Sequence, residues 1–351
     1  MVSTDLSLAI KEASKNMEPS HARSFSKDSE QGVGISAMGY YLPPAEQTVA
    51  QVVHAGQTIS DEAKLRQLGF QTIRVAREDS AVQMAIEAVR NLRSRSGFDL
   101  DRIDVVVYAG ALASSSVVAT DDQESWGSMV DPAPLFRFPG PCLQSELGIP
   151  NASVIGVTQL ACNSFQAAIR VARALILAEP SVNDVLCVAA DRFPANARRE
   201  IVYNLMSDGA CAAVVSRGER SNRLLATAQI TRGAYWDSTV SHDQLIAAYF
   251  PLARRVILEA LEAAGLETAD IDLLIPHNLN LKSWEILAQV VGIPIEKIYT
   301  ANIARIGHVV ASDNVINYLD AFDAGRLVRG DKVALFVMGF GAHWSCSIIE
   351  V

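Results

Sequence analysis

The feature that most constrains the fold is an internal repeat with a period of about half the chain. A helix, a glycine and an apolar strand over 101–109 recur in the second half as the helix over 256–264, Gly265 and the strand over 269–277. Later segments pair in the same way: 183–188 with 330–336, 210–215 with 344–349, and the helix after Cys162 with 311–322. The repeat predicts two similar α/β halves that pack pseudo-symmetrically.

The repeat also predicts the domain organisation. We expect a first half over 32–217 and a second half over 224–351, joined by a polar stretch at 218–223. Residues 1–31 are rich in Ser, Lys and Glu and contain no apolar signal-peptide core, so we expect a flexible tail. The aperiodic segment over 113–147 carries prolines and aromatic residues, which fits a cover over a site, an oligomer interface or a plain surface loop.

Composition excludes several function classes. Half of the 351 residues are hydrophobic and a fifth are charged, which allows a large core. The net charge of −9 argues against a nucleic-acid partner, and no apolar run approaches the ~20 residues of a membrane helix. The five cysteines are scattered and odd in number, which fits reduced thiols in a cytoplasmic protein. We expect neither a metal site nor a bound cofactor.

Cys162 lies where an apolar run over 154–157 turns into an Ala-rich helix over 165–178. Such a join places a side chain beside the free N–H groups of a helix N-terminus, which favour the reactive thiolate. An inert core cysteine is the alternative interpretation.

Four further features contribute candidate chemistry. His277 follows a buried strand, and the repeat places it across a central cleft from Cys162, where the two would act in nucleophilic acyl transfer; a structural histidine is the alternative. Asp313 begins a helix and is either its N-cap or the group that orients His277. His308 is a second imidazole that either takes part in catalysis or contacts the substrate. The Gly-rich turn over 339–343 offers a backbone N–H for an oxyanion hole with Cys162.

Four motifs carry a family resemblance: Ala161-Cys162, Ser207-Asp208-Gly209-Ala210, Pro276-His277-Asn278-Leu279-Asn280 and Gly339-Phe340-Gly341. With these motifs in order, the chain from about residue 32 to its end resembles the thiolase superfamily, specifically its ketoacyl-ACP synthase III branch. The resemblance implies a thiolase fold, a duplicated α/β architecture of five αβαβα layers, and a homodimer. It also implies an acyl thioester on Cys162, with the amides of Cys162 and Ala342 as oxyanion donors.

The same resemblance implies the substrates. The acyl donor would be an acyl-CoA or a phosphopantetheinyl acyl carrier protein. Asn280 and Phe340 would contact the substrate or carrier, and Lys282 would lie near the pantetheine entrance.

One segment departs from the family pattern. Condensing members carry Gly-Asn-Thr-Ser where this chain has Gly307-His308-Val309-Val310, so His308 replaces an asparagine. A Cys-His-His set would preserve decarboxylative condensation with a malonyl-carrier protein. A set of Cys162, His277 and Asp313 resembles instead the cervimycin-type tailoring and starter acyltransferases.

We favour acyl transfer, because a carboxylate raises the basicity of an imidazole but opposes the charge of an enolate. The acceptor would be a hydroxyl, an amine or a carrier-protein thiol in specialised metabolism. A decarboxylative synthase is the first alternative, and a non-catalytic partner subunit of a related synthase is the second.

Overall fold

A computed structural model describes residues 23–24, 32–112, 133–238 and 240–351. The expected tail over 1–31 lies outside these residues except for Arg23–Ser24, and so does most of the predicted cover segment before residue 133. No helix in the described ranges is long and apolar enough to cross a membrane.

The strands of the described chain are β1 Arg23–Ser24, β2 Val33–Tyr41, β3 Glu46–Thr48, β4 Thr72–Arg74, β5 Val105–Ala109, β6 Ser153–Val157, β7 Asp184–Asp191, β8 Glu200–Ile201, β9 Asn204–Leu205, β10 Gly209–Arg217, β11 Arg223–Thr231, β12 Leu273–Ile275, β13 Lys332–Gly339 and β14 His343–Glu350. The α-helices are α1 Val49–His54, α2 Glu62–Gln67, α3 Ala81–Ser96, α4 Pro139–Glu146, α5 Ser164–Ala178, α6 His242–Ala264, α7 Leu281–Val291, α8 Ala301–Ile306 and α9 Asp313–Asp323.

The strands form two similar sets. The first half contributes β6, β5, β7, β10 and β2 in spatial order, and the second contributes β11, β14, β13 and β12. In each set a parallel pair stands at the outer end, β5 with β6 and β12 with β13. The two sets meet at a single pairing of β11 with β2, Arg223 with Gly34. The loop between β10 and β11 coincides with the expected junction, and the division into two domains stays a prediction.

Three hydrophobic clusters define the layers. One packs α3 and α4 on the outer face of the first set of strands. A second packs α5 and α9 between the two sets, and a third packs α6 and α7 on the outer face of the second set. The order α, β, α, β, α is the architecture that the family resemblance implied.

Strand β10 explains why both faces of its sheet are covered. Cys211 and Ala213 point into the central cluster, whereas Ala210 and Ala212 point into the outer one. Because successive side chains in a strand face opposite sides, a continuous run of apolar residues requires a helical layer on each face.

The N-termini of two helices that correspond in the repeat lie close together in the fold. The two central helices, α5 and α9, begin directly after Cys162-Asn163 and at Asp313. The 3₁₀ turns that precede the two helices contact each other. The fold therefore brings residues from the two halves of the sequence to one site.

Candidate active site

Cys162 sits in a tight connection between β6 and α5. Gln159 and Ala161 have left-handed backbone angles, φ 70° and 47°, which non-glycine residues rarely adopt. A 3₁₀ turn over Ala161–Asn163 then leads into α5. Cys162 is 6% exposed and lies immediately before the N-terminus of α5. Strained backbone of this kind clusters at functional sites.

His308 is the direct partner of Cys162. Its Nε2 atom lies 3.2 Å from the Cys162 Sγ, and its Nδ1 atom makes a short hydrogen bond to the Asp313 carboxylate. Burial alone would lower the pKa of His308, but Asp313 and Cys162 outweigh it and raise the pKa to about 10. The three side chains form a line of thiol, imidazole and carboxylate.

Asp313 is held in place by several donors. Its carboxylate accepts hydrogen bonds from the Asn278 backbone N–H at 2.6 Å, the Asn278 side chain at 3.1 Å and the Val309 N–H at 2.8 Å, besides that from His308. The expectation that Asp313 orients His277 is wrong. The physical reason is local: one turn separates His308 from the start of α9, which points the carboxylate at that imidazole.

His277 lies beside this line without joining it. Its ring centre is 5.7 Å from that of His308, and it packs edge-on against Trp284 and near Phe336. Neither ring nitrogen makes a hydrogen bond of good geometry within the described chain. Burial and the neighbouring charge on His308 hold the pKa of His277 well below its ordinary value, although the Phe336 backbone partly offsets this. The ring is therefore neutral.

The expectation that the Ala342 amide is an oxyanion donor is also wrong. Its N–H donates to the carbonyl of Arg232 at 3.2 Å and is not available to a substrate. The backbone that approaches Cys162 lies earlier in the chain: a Cβ atom on Gly339 would lie 3.1 Å from the Cys162 nitrogen. The end of β13 and Phe340 therefore run beside the Cys162 amide.

A cavity with an empty volume of about 920 Å³, counted with its open mouth, lies in front of these residues. Cys162, His277 and His308 line its floor, and Phe340 and Asn280 line its wall. Asn280 also caps α7 by accepting the Ser283 N–H, so part of its role is structural.

Lys282, the expected contact for a carrier or CoA phosphate, is not among the lining residues. Its ammonium group forms an ion pair with Glu285 at 2.8 Å, and its side chain is 66% exposed. A role in carrier binding stays a prediction.

The comparisons with known proteins concern the family and the fold. The family described as 3-oxoacyl-[acyl-carrier-protein] synthase III matches residues 158–233, and the C-terminal part of the same family matches residues 261–351. These two stretches of the chain are similar to the 3-oxoacyl-ACP synthase III family.

Curated relatives of the same description extend the similarity to most of the chain. The beta-ketoacyl-ACP synthase III of Aquifex aeolicus is 25% identical over 332 residues, covering 91% of this chain and 99% of that protein. The Listeria innocua protein of the same name is 28% identical over 330 residues, covering 90% of this chain and 98% of that protein. These names support a synthase more directly than an acyltransferase.

Solved structures confirm the thiolase-type fold. The Aquifex aeolicus 3-oxoacyl-ACP synthase III has a TM-score of 0.77 at 23% identity, covering 91% of this chain and 100% of that one. The acyltransferase ChlB3 also has a TM-score of 0.77, at 22% identity, covering 91% and 98%. The same fold thus occurs in a protein named as a synthase and in one named as an acyltransferase.

Sequence reasoning missed two parts of the site. Asn278, which holds Asp313, adjoins His277 in the quoted motif, but nothing in the sequence showed where its amide would point. The cavity wall on α6 had a readable signal, since Leu245, Ile246 and Tyr249 follow helical spacing.

Proposed function

We propose that this enzyme moves an acyl group from a carrier-protein or CoA thioester, through a thioester on Cys162, to a hydroxyl, amine or carrier-protein thiol in specialised metabolism. The observation that carries the proposal is the line formed by Cys162, His308 and Asp313. A buried carboxylate behind the imidazole is the arrangement of enzymes in which one histidine serves both halves of an acyl transfer.

In the first step the Cys162 thiolate attacks the thioester carbonyl while His308 is an imidazolium. The carbon–sulfur bond to the donor breaks as the tetrahedral intermediate collapses. The departing thiolate takes the proton from His308, which leaves an acyl-Cys162 and a neutral imidazole.

In the second step the acceptor attacks the acyl-Cys162 carbonyl. His308 removes the proton of the acceptor, and Asp313 stabilises the resulting imidazolium. Collapse of the intermediate returns Cys162 as a thiolate beside the charged His308, which is the starting state. The base is therefore His308 and not His277.

The negative oxygen of both intermediates requires hydrogen-bond donors. We assign this role to the amides of Cys162 and Phe340, since the Gly339–Phe340 backbone runs against the Cys162 nitrogen. Neutral His277 remains free to position the donor or the acceptor by a hydrogen bond.

Decarboxylative condensation is the second candidate, and the names of the relatives favour it. In that reaction His277 and His308 would both donate to the enolate oxygen of a malonyl thioester. Asp313 weighs against it, because a carboxylate beside His308 offsets the positive charge that would stabilise an enolate.

Carbon dioxide release separates the two candidates. The enzyme is first acylated with acetyl-CoA and then given either malonyl-carrier protein or a panel of alcohols and amines. We expect acyl transfer to an acceptor without carbon dioxide above the background of Cys162→Ala. Release of one carbon dioxide per 3-oxoacyl product would establish the synthase instead. Failure of acetyl-CoA and of longer acyl-CoA donors to acylate Cys162 would support a non-catalytic subunit.

A further inference from the structure

The turn that carries Cys162 has a backbone that needs support from outside the turn. Gln159 and Ala161 adopt left-handed angles, φ 70° and 47°, although neither is a glycine. Such conformations persist only where the surrounding structure determines them. Gly339 packs against the part of the turn from Leu160 to Asn163. The Gln159 end of the turn needs a contact of its own.

His343, the first residue of β14, makes that contact. Its Nδ1 atom lies 3.0 Å from the Thr231 hydroxyl oxygen on the neighbouring strand β11, where the two residues are register partners. The ring also makes a hydrogen bond with the Gln159 backbone. A Cβ atom on Gly341 would lie 2.5 Å from the His343 Nε2 atom, so the ring lies directly against this glycine. The imidazole thus connects the sheet, the Gly-rich turn and the turn that carries Cys162.

Both hydrogen bonds of His343 fit a neutral imidazole. Burial lowers the pKa of His343, and the hydrogen bond with Gln159 offsets part of this lowering. A bond that favours the protonated ring must be accepted by the peptide carbonyl. Because a neutral imidazole has one donor and one acceptor nitrogen, Nε2 donates to the Gln159 carbonyl while Nδ1 accepts from the Thr231 hydroxyl. Thr231 therefore fixes the tautomer that the contact with Gln159 requires.

Resting on the proposed role of Cys162 as the nucleophile, we propose that His343 is a positioning residue that holds the Cys162 turn against the sheet. His343 is not among the described residues that line the cavity, so it acts through Gln159 and does not touch the substrate. Only two residues separate Gln159 from Cys162. A shift of the Gln159 peptide therefore moves Sγ relative to the His308 Nε2 atom, which lies 3.2 Å away. Misplacement by about 1 Å can lower a rate about 10²-fold.

Two substitutions of His343 separate positioning from packing. His343→Phe keeps a ring but removes both hydrogen bonds, whereas His343→Gln keeps a side-chain N–H that can donate to the Gln159 carbonyl. Acylation of Cys162 by acetyl-CoA is followed by intact mass, with Cys162→Ala as the background. We expect His343→Phe to lower the maximal acylation rate about tenfold or more, with little change in the acetyl-CoA concentration that gives half of that rate. His343→Gln should recover part of the loss.

Thr231 provides an independent pair of variants. Thr231→Val removes the hydroxyl that bonds to His343, and the matched control is Thr227→Val on the same strand, whose hydroxyl lies 3.0 Å from that of Ser347. Thr231→Val should slow acylation less strongly than His343→Phe, and Thr227→Val should keep the wild-type rate. Alkylation of Cys162 by iodoacetamide should slow in parallel, because a displaced Sγ loses its contact with the His308 imidazolium.

The outcomes separate this proposal from the proposed function. Acylation at the wild-type rate in His343→Phe, or equal effects of Thr231→Val and Thr227→Val, would overturn the positioning role. A loss of stability in urea without slower acylation would also overturn it, because His343 would then be structural only. Failure of acetyl-CoA and of longer acyl-CoA donors to acylate the wild type would overturn the proposed function instead, and alkylation by iodoacetamide would still test the position of Cys162.

Discussion

At the residue scale the mechanism depends on which histidine faces Cys162. The sequence favoured His277 because it follows a buried strand, but the structure pairs Cys162 with His308. The two imidazoles lie in one cavity with opposite charge preferences, since Asp313 raises the pKa of one and burial lowers the pKa of the other. Such a split assigns proton transfer to His308 and neutral hydrogen bonding to His277.

Replacement of the carboxylate tests this assignment. Asp313→Asn should reduce discharge of acyl-Cys162 by about 10²–10⁴-fold, because an amide neither fixes the His308 tautomer nor stabilises its positive charge. The matched control is Asp323→Asn on the same helix, where the carboxylate pairs with Arg95 at the surface. Discharge that is unchanged in Asp313→Asn would remove Asp313 from the mechanism.

The raised pKa of His308 has a consequence for stability. Its folded value of about 10 lies above the ordinary value of 6.5. The charged ring therefore stabilises the fold fully below pH 6.5, and the contribution is lost as the pH rises through the folded value. Urea unfolding of the wild type and His308→Gln at several pH values measures this contribution as a difference. The difference should shrink from pH 6.5 to pH 10, and a difference that grows with pH would contradict the assigned charge state.

At the element scale the site depends on the close approach of β13 to the turn before α5. A Cβ atom on Gly339 would lie 2.2 Å from the Leu160 carbonyl oxygen, so any side chain must displace the turn that carries Cys162. Because the obstruction is backbone, this displacement cannot be relieved by a rotamer change.

We therefore expect Gly339→Ala to slow acylation of Cys162 strongly and to cost about 1–3 kcal/mol in the free energy of unfolding. Gly233→Ala is the matched control, since a Cβ atom there meets nothing within 4 Å. Acylation rates and urea unfolding curves for both variants provide the comparison. Equal behaviour of the two variants would show that the close approach is unimportant.

The elements were more predictable than the contacts between them. Gly265 as a helix end and the strand before His277 follow from local patterns, and the structure confirms both. The pairing of Asp313 with His308 depends on the direction of a short 3₁₀ turn. The Ala342 amide is unavailable as an oxyanion donor because it bonds to the carbonyl of Arg232, which is far away in the sequence. Neither contact leaves a periodic signal in the sequence.

At the scale of the whole molecule, the open edge of the sheet bears on assembly. Strand β6 ends the spatial order of the described strands, and Val154, Ile155 and Val157 on it are only half-buried. An apolar edge with unpaired backbone groups is a ready surface for a second copy. The homodimer that the family resemblance implies stays a prediction, and this edge is its natural location.

A charge on the edge tests that location. A Cβ atom on Gly156 would meet no heavy atom within 4 Å, so Gly156→Glu should fold but place like charges opposite each other across a symmetric pairing. Sedimentation should give a dimer for the wild type and for Gly233→Glu, and a monomer for Gly156→Glu. A dimer of undiminished affinity in Gly156→Glu would place the interface elsewhere.

The most direct test of the central claim is the intact mass of the enzyme after exposure to acyl thioesters and then to an acceptor. The mechanism predicts that the wild type gains one acyl group on Cys162, that Cys162→Ala gains none, and that the acceptor removes the group in step with product formation. An acyl group on another residue, or full transfer by Cys162→Ala, would contradict it.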